Sequence, residues 1–199
     1  MVKPLPRLTQ ANREAEEEAV VAEGETCMAK GKTDKLGSLR SQGGKDTIGW
    51  KEWLALPQLG IPAIKAKIDT GARTSALHTF SLKEFYDAGR RMVRFGIHPL
   101  QKRKDIEIFC EAPVLERRRV KDSGGHVEKR YVIQTEVALK NELWTITITL
   151  TNRDAMLFRM LLGRTAIEKR FVVDPGRSYT AGRALGKFYK DRLRRKGTK

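Results

Sequence analysis

Apolar and polar residues alternate with a period of two along much of the chain, a pattern typical of half-buried β-strands. The run Trp144–Leu150 alternates strictly and is rich in β-branched residues, and Ile61–Ile68 alternates apolar with basic side chains. Further strands are predicted at 75–80, 92–97, 106–114, 134–139 and 171–173, together with a hairpin at 115–133 that turns at 122–125.

Two short segments have helical signals instead. Ser81 and Glu84 have the spacing of a capping box and Gly89 is a typical terminator, so a short helix is predicted between them. A second short helix is predicted at Thr165–Lys169. The patterning therefore predicts a mostly β domain, arranged as a closed β-barrel with one or two short helices.

Composition divides the 199 residues into three parts. Residues 1–45 mix Pro, Gly, Ser and charged residues with few large apolar side chains, so they are predicted to be a disordered N-terminal tail and linker. Residues 46–177 are predicted to form the folded domain. Residues 178–199, with eight basic and one acidic side chain, are predicted to be a basic C-terminal tail.

Charge and cysteine content narrow the classes of protein. The formal net charge of +16 and the pI near 10.1 predict an anionic partner: a nucleic acid, a membrane surface or an acidic peptide. No signal-peptide pattern and no apolar run of about 18 residues is found, so no membrane span is expected. Cys27 and Cys110 lie far apart, so no disulfide and a reducing, cytoplasmic location are expected.

The stretch Ile68–Ala72 carries the main candidate chemistry. A β-branched residue leads directly into Asp69, Thr70 and Gly71, an order that suits a strand ending in a tight turn that presents a carboxylate. Downstream, residues 160–165 place two leucines and a glycine before a helix-compatible run. An aspartate that only closes a turn is the alternative interpretation of Asp69.

Together these stretches resemble the retroviral-type aspartic proteases (retropepsins). They are more closely similar to a bacterial family of RimK-associated proteins, named ATP-dependent zinc proteases, with a retropepsin-like fold. The resemblance covers roughly residues 47–181 and rests on five ordered blocks at 67–78, 117–121, 130–133, 160–164 and 170–175. It implies an acid-protease β-barrel in which Asp69 is the catalytic carboxylate. The other implied site residues are Thr70 and Gly71, which brace Asp69, Ala72 beside the substrate, and Leu162, Gly163 and Arg164 as structural support.

Aspartic protease chemistry needs two carboxylates that share one proton, because two like charges so close together cannot both ionise. The chain contains one Asp-Thr-Gly triplet and no internal repeat. We therefore expect a homodimer in which two copies of Asp69 meet on the two-fold axis.

The predicted hairpin at 115–133 is basic on both arms. Strand alternation places Arg117, Arg119 and Lys121 on one face. With Arg73 they are predicted to bind an acidic substrate, because arginine holds a carboxylate in a bidentate fork. The resemblance implies that the hairpin is a flap and that the substrate is a glutamate tail added by a RimK-type ATP-grasp ligase, a candidate partner. An ordinary solvated hairpin is the alternative.

One position departs from the retropepsin pattern. Retropepsins usually follow Asp-Thr-Gly-Ala with an acidic residue that pairs with the later arginine, and this chain has Arg73 there. Arg164 therefore needs another carboxylate, and the candidates are Glu168, Asp154 and Asp174.

No metal or cofactor is predicted. The three histidines form no His-Glu-x-x-His motif, and no cysteine pair has metal-binding spacing. His78, on the strand that follows Asp69, is interpreted as a structural or supporting histidine. No glycine-rich phosphate loop is present, so any ATP dependence would come from a partner ligase.

The sequence thus predicts an aspartic-type peptidase that acts on an acidic peptide. The main alternative is a non-enzymatic basic β-barrel that binds RNA or another polyanion, favoured by the net charge and the basic run at 187–199. Against it, the aromatic residues do not interleave with the basic clusters along the chain. A third interpretation is an inactive scaffold for a ligase, in which Asp69 is structural.

Overall fold

A computed structural model of the chain describes residues 44–101, 103–121, 125, 127–152 and 157–189. The chain divides into two units, Met1–Ser41 and Gln42–Lys199. The first unit, and with it most of the predicted N-terminal tail, lies outside the described residues, as do 190–199 of the predicted C-terminal tail. The predicted boundaries at 45/46 and 177/178 therefore stay predictions.

The described residues form twelve strands, one α-helix and two short 3-10 turns, so the prediction of a mostly β chain is confirmed. The strands are β1 (Asp46–Gly49), β2 (Lys51–Leu56), β3 (Ile61–Asp69), β4 (Ser75–His78), β5 (Ser81–Asp87), β6 (Arg90–Ile97), β7 (Ile108–Pro113), β8 (Glu116–Lys121), β9 (Val127–Leu139), β10 (Glu142–Thr151), β11 (Met160–Gly163) and β12 (Phe171–Asp174). The helix is α1 (Arg164–Ile167), and the 3-10 turns are Pro57–Leu59 and Leu185–Lys187.

Seven strands form the main sheet in the order β10-β4-β11-β3-β2-β9-β8, and β10 pairs in addition with β9. The pairs β11–β3 and β10–β4 are parallel, whereas β2–β3, β8–β9 and β9–β10 are antiparallel. A separate antiparallel sheet has the order β5-β6-β7, and β1 pairs with β12 in parallel. The parallel β11–β3 pair is what brings residue 163 beside residue 69.

The alternation of apolar and polar residues in the sequence corresponds to alternating burial of side chains along the strands. On β3, Ile64, Ala66 and Ile68 are buried, while Lys65 and Lys67 between them point outward. Trp144, Ile146 and Ile148 are buried on β10 in the same way. Because each buried aliphatic side chain contributes roughly 1.5–3 kcal/mol, the alternation fixes which face of each strand joins the core.

The prediction of a helix after Ser81 is wrong. The segment is strand β5, paired with β6 from Ser81–Gly96 to Asp87–Arg90. Ala88 and Gly89, both with positive φ, form the two-residue turn between the strands. Glu84 makes no cap but points towards Arg117 of β8. A capping box reflects only a local preference for a helix start, and the pairing of the whole segment with β6 outweighs that preference.

Two other findings concern strand β9 and the segment that follows β12. The strand predicted at 134–139 is continuous with the second arm of the hairpin, as β9. Residues 178–189 are packed on β2 and β3: the Tyr189 hydroxyl donates to the carbonyl of Ala63 (2.7 Å), and Thr180 donates to the buried carboxylate of Glu52. No helix among the described residues has the length and apolar character needed to span a membrane.

Candidate active site

The candidate site is built around the turn that follows β3. Asp69 is the last residue of that strand, and its Oδ1 accepts hydrogen bonds from the backbone N–H groups of Gly71 (3.1 Å) and Ala72 (3.0 Å). Thr70 and Gly71 are exposed. A short polar side chain that captures the N–H groups two and three residues later is the geometry that the Asp-Thr-Gly order predicts.

Strand β11 and helix α1 hold this turn from the neighbouring side. Gly163 is the register partner of Asp69, and the buried Leu162 is the partner of Ile68. The Arg164 N–H donates to the carbonyl of Ala72 (2.8 Å). Thr165 donates to the carbonyl of Arg73 through both its N–H (3.1 Å) and its hydroxyl (2.8 Å). The two sequence stretches singled out above are therefore one structural unit.

Gly163 sits where no larger residue fits. A Cβ at this position would lie 2.5 Å from the carbonyl carbon of Thr74 and 2.7 Å from the nitrogen of Ser75. The Gly163 N–H donates to the Ser75 hydroxyl (3.1 Å), and the Ser75 carbonyl accepts from Thr149 (3.1 Å). Ser75 is buried, and sequence reasoning missed its role. A serine that opens an apolar strand was the available signal.

Arg164 does not pair with the carboxylates proposed for it within the described part of the chain. Its guanidinium contacts the carbonyl oxygen of Thr70 at 3.4 Å. Asp174 instead pairs with Arg177 at 3.7 Å, and the third candidate, Asp154, lies outside the described residues. Arg164 thus ties helix α1 to the backbone of the Asp69 turn.

A cavity of about 1070 Å³ opens beside Asp69. Five cationic residues line it, and Asp69 is the one acidic residue among the described residues of its wall. The cations are Arg73 from the turn, Arg118, Arg119 and Lys121 from β8, and Arg130 from β9. Such a wall attracts anionic ligands and concentrates them near the Asp69 carboxylate.

Most of the predicted substrate-binding residues meet in this cavity. Ala72, Arg73, Arg119 and Lys121 line it together with Asp69. Arg117 does not line it: its guanidinium pairs with Glu84 of β5 (2.7 Å) and lies 4.4 Å from the centre of the Tyr131 ring.

Sequence reasoning missed two further arginines of the cavity. Arg118 and Arg130 are cross-strand register partners on β8 and β9. Strand alternation predicted substrate binding by the face that carries Arg117, Arg119 and Lys121, whereas residues of both faces of β8 reach the cavity.

The two histidines that the structure describes lie apart from the cavity wall. His78 is buried on β4, and His98 stacks on Phe80 with its Nδ1 3.3 Å from the carbonyl oxygen of Ile106. His126 lies outside the described residues. Among the residues that the structure describes, no group of three or more His, Cys, Asp or Glu side chains is arranged to hold a metal ion. Burial raises the pKa of the Cys110 thiol to about 11.

Comparison with known proteins adds a family context. A family model described as RimB-like, the retropepsin-like aspartic endopeptidase RimB, matches residues 47–184. A crystal structure of a Legionella pneumophila protein of unknown function has a TM-score of 0.59 and 27% sequence identity, and the match covers 69% of this chain and 99% of that protein.

Curated relatives carry a different name. The probable alpha-L-glutamate ligase of Shewanella halifaxensis is 46% identical over 138 residues, which is 69% of this chain and 30% of that protein. The protein of the same name from Parasynechococcus marenigrum is 49% identical over 138 residues, again 69% and 30%. The one from Desulfotalea psychrophila is 43% identical over 157 residues, 77% and 34%. The chain thus spans about a third of the length of the curated relatives it matches.

Proposed function

Because the chain belongs to the family of RimB-like, retropepsin-like aspartic endopeptidases, we propose that it is an aspartic peptidase that hydrolyses peptide bonds in an acidic, glutamate-rich substrate. One observation carries the proposal: Asp69, held at a strand end by two backbone N–H groups, lies on the wall of a cavity with five cationic residues. The names of the curated relatives support a glutamyl peptide as the substrate and a RimK-type glutamate ligase as a partner.

In the proposed reaction two aspartates share one proton. The ionised carboxylate takes a proton from a water molecule, whose oxygen attacks the scissile carbonyl carbon. The protonated partner donates its hydrogen bond to the carbonyl oxygen and stabilises the charge that develops there. Collapse of the tetrahedral intermediate breaks the C–N bond, and the amine leaves with a proton. Asp69 supplies one carboxylate, and Thr70 and Gly71 hold the turn that presents it.

The second carboxylate is proposed to come from Asp69 of another copy of the chain. Asp69 is the one acidic residue among the described residues of the cavity wall, which supports a site completed by a homodimer. Mixing wild type with an equal amount of the Asp69→Asn variant tests this. Random exchange of subunits would leave the same amount of wild type with about half of its unmixed activity. Unchanged activity would mean that one chain holds a complete site.

The proposed roles of the other site residues follow their positions. Arg73, Arg119 and Lys121 attract the substrate's carboxylates, with Ala72 beside the bound peptide. The β8–β9 hairpin is the proposed flap, and Arg117 anchors it to β5 through Glu84. The pairing of β10 with both β4 and β9 supports a main sheet that closes into a barrel around the core.

Hydrolysis of a poly-α-glutamate peptide tests the proposed activity. The full chain is assayed with and without a chelator, beside Asp69→Asn. We expect cleavage that resists the chelator and disappears in the variant. Cleavage that the chelator stops would overturn the aspartic mechanism in favour of a metal site. Absence of cleavage by a folded wild type would overturn the peptidase assignment for the isolated chain.

A second candidate function, polyanion binding, is favoured by a cluster on the outer face of β2 and β3. Three cations surround the ring of Tyr179: Lys51 at 5.3 Å, Lys65 at 5.7 Å and Arg183 at 4.7 Å. Trp50 and Trp53 lie under Lys51 and Lys65. Aromatic and basic side chains that do not interleave along the sequence therefore do so in space, as in many nucleic-acid surfaces.

The two functions respond to different substitutions. Replacing Lys51 and Lys65 by glutamine would weaken binding of a single-stranded RNA and leave peptide hydrolysis unchanged if the cluster binds polyanions separately. Asp69→Asn would abolish peptide hydrolysis and leave RNA binding unchanged. RNA binding that is unaffected by the lysine substitutions would contradict the second candidate.

A further inference from the structure

Two arginines stand side by side on one face of the β8–β9 hairpin. Arg118 and Arg130 are directly opposite in the antiparallel register, so their side chains stand next to each other on one face of the strand pair. Both line the cavity that contains Asp69. Like charges placed directly opposite each other destabilise a strand pair, so this arrangement needs a compensating interaction.

Each arginine has its own carboxylate two residues earlier on the same strand. The Arg118 Nε donates to Glu116 (3.0 Å), and the Arg130 Nε donates to Glu128 (2.8 Å). Glu128 accepts in addition from the Thr151 hydroxyl (3.2 Å). These contacts orient both guanidinium groups from their Nε side.

The two guanidinium groups retain donors for a ligand. A guanidinium has five N–H donors. Among the described residues, Glu128 is the one that accepts a hydrogen bond from the Arg130 side chain. Only 8% of the Arg130 side chain is exposed, against 43% for Arg118. Arg118 also donates to the Thr74 hydroxyl (3.3 Å), which ties the hairpin to the segment after the Asp69 turn. Arg130 is already paired with Glu128, and its remaining N–H donors are available to an anion that enters the cavity.

We propose that Arg118 and Arg130 form a carboxylate clamp that selects an acidic side chain of the peptide bound at Asp69. The inference rests on the proposed peptidase function and names two specificity-determining residues within it. A carboxylate between the two guanidinium groups accepts charge-assisted hydrogen bonds from both and removes the repulsion between them. A glutamine side chain has the same shape but no charge, so it satisfies neither requirement.

Binding to the full-length Asp69→Asn variant separates this clamp from hydrolysis. Fluorescently labelled hexaglutamate and hexaglutamine peptides are titrated by anisotropy at an ionic strength of about 0.15 M, where long-range attraction is screened. We expect the glutamate peptide to bind more tightly. Adding Arg118→Gln or Arg130→Gln should each weaken glutamate binding about 30-fold and leave glutamine binding nearly unchanged, since each removes hydrogen bonds to a charged group.

The double variant and two further variants define the mechanism. Because both arginines hold one carboxylate, the double variant should lose less than the product of the two single losses. Arg130→Lys keeps the charge but not the planar fork and should recover only part of the loss. Arg94→Gln is the matched control: Arg94 is also paired with a glutamate, Glu111 of the neighbouring strand β7, but it lies on the separate sheet.

The outcomes distinguish the clamp from the peptidase proposal. If the Arg118 and Arg130 variants bind both peptides like their parent, or weaken both peptides equally, the clamp is wrong even when wild type cleaves the peptide. If wild type does not cleave but glutamate binding depends on the two arginines as expected, the clamp stands and the peptidase proposal fails. Should Arg130→Gln not fold, the exposed Arg118 decides through its own variant.

Discussion

Replacing Gly163 by alanine tests whether β11 is packed against the Asp69 turn as described. The backbone of Gly163, with φ −77° and ψ 165°, is one that any residue adopts. Glycine is therefore needed here for space rather than for conformation. The added Cβ would lie 2.5 Å and 2.7 Å from backbone atoms of Thr74 and Ser75, well inside normal contact distances.

Two opposing terms set the size of the effect. Alanine restricts the unfolded chain and so favours folding by about 0.4–1 kcal/mol. Overpacking against backbone atoms costs about 1–3 kcal/mol. We therefore expect Gly163→Ala to lose roughly 1–2 kcal/mol, which for a domain of this size lowers the Tm by about 2–8 °C. Thermal and urea unfolding followed by circular dichroism measure both quantities.

Gly71→Ala, in the turn after Asp69, is the matched control for Gly163→Ala. Its Cβ would meet only the Asp69 Oδ1, at an ordinary 3.5 Å. This variant has the entropy term without the overpacking, so its Tm should stay constant or rise slightly. If Gly163→Ala also raised the Tm, the space between β11 and residues 74–75 would be larger than described, and the reasoning would be refuted.

The same substitution should affect activity beyond its effect on stability. The carbonyls of Ala72 and Arg73 bond to helix α1, which directly follows Gly163. A shift of β11 therefore moves the turn that holds Asp69, and a displacement of about 1 Å typically costs about 100-fold in rate. Hydrolysis measured well below the Tm of the variant, where it is fully folded, separates this loss from unfolding.

Two further predictions concern buried ionisable groups. Glu52 is fully buried and accepts from Gly49, Thr180 and Ala181, so Glu52→Gln, which brings an NH₂ group towards these donors, should cost about 1–3 kcal/mol in urea unfolding. An unchanged midpoint would contradict the described contacts. Burial raises the pKa of Cys110 from 9.0 to about 11, so the unfolded thiol ionises first and stability should fall as pH rises from 9 through 11. Cys110→Val should not show this loss, and parallel curves for the two proteins would refute the burial argument.

The fold could be predicted where burial follows a local pattern. Strands β3 and β10 alternate because one face of each joins the core, and this period is visible in the sequence. The segment after Ser81 could not be predicted in the same way. Its Ser-x-x-Glu spacing fits a helix start, but the pairing with β6 that makes it a strand depends on residues up to 15 positions away, from Ser81 to Gly96.

The candidate site was predictable as a set of motifs but not as a surface. Asp69 and Gly163 were singled out separately, and the parallel β11–β3 register places them together. For the hairpin, alternation correctly separates Arg117 from Arg118. Alternation alone does not predict that Arg118 and Arg119, from opposite faces of β8, both reach the cavity, nor that Arg117 instead contacts Glu84 of β5. That contact joins residues 33 positions apart and leaves no trace in the local pattern.

The turn that presents Asp69 is formed by neighbouring residues, but its position is fixed by residues far away in the sequence. The two hydrogen bonds within it span two and three residues and can form in a short peptide. The bonds that fix its position come from Arg164 and Thr165, 92 residues downstream of their partners. Without the bonds from Arg164 and Thr165 the turn could still form, but it would not be held against the cavity wall. It follows that substitutions in β11 and α1 at positions that do not line the cavity should reduce activity in proportion to the displacement of the turn.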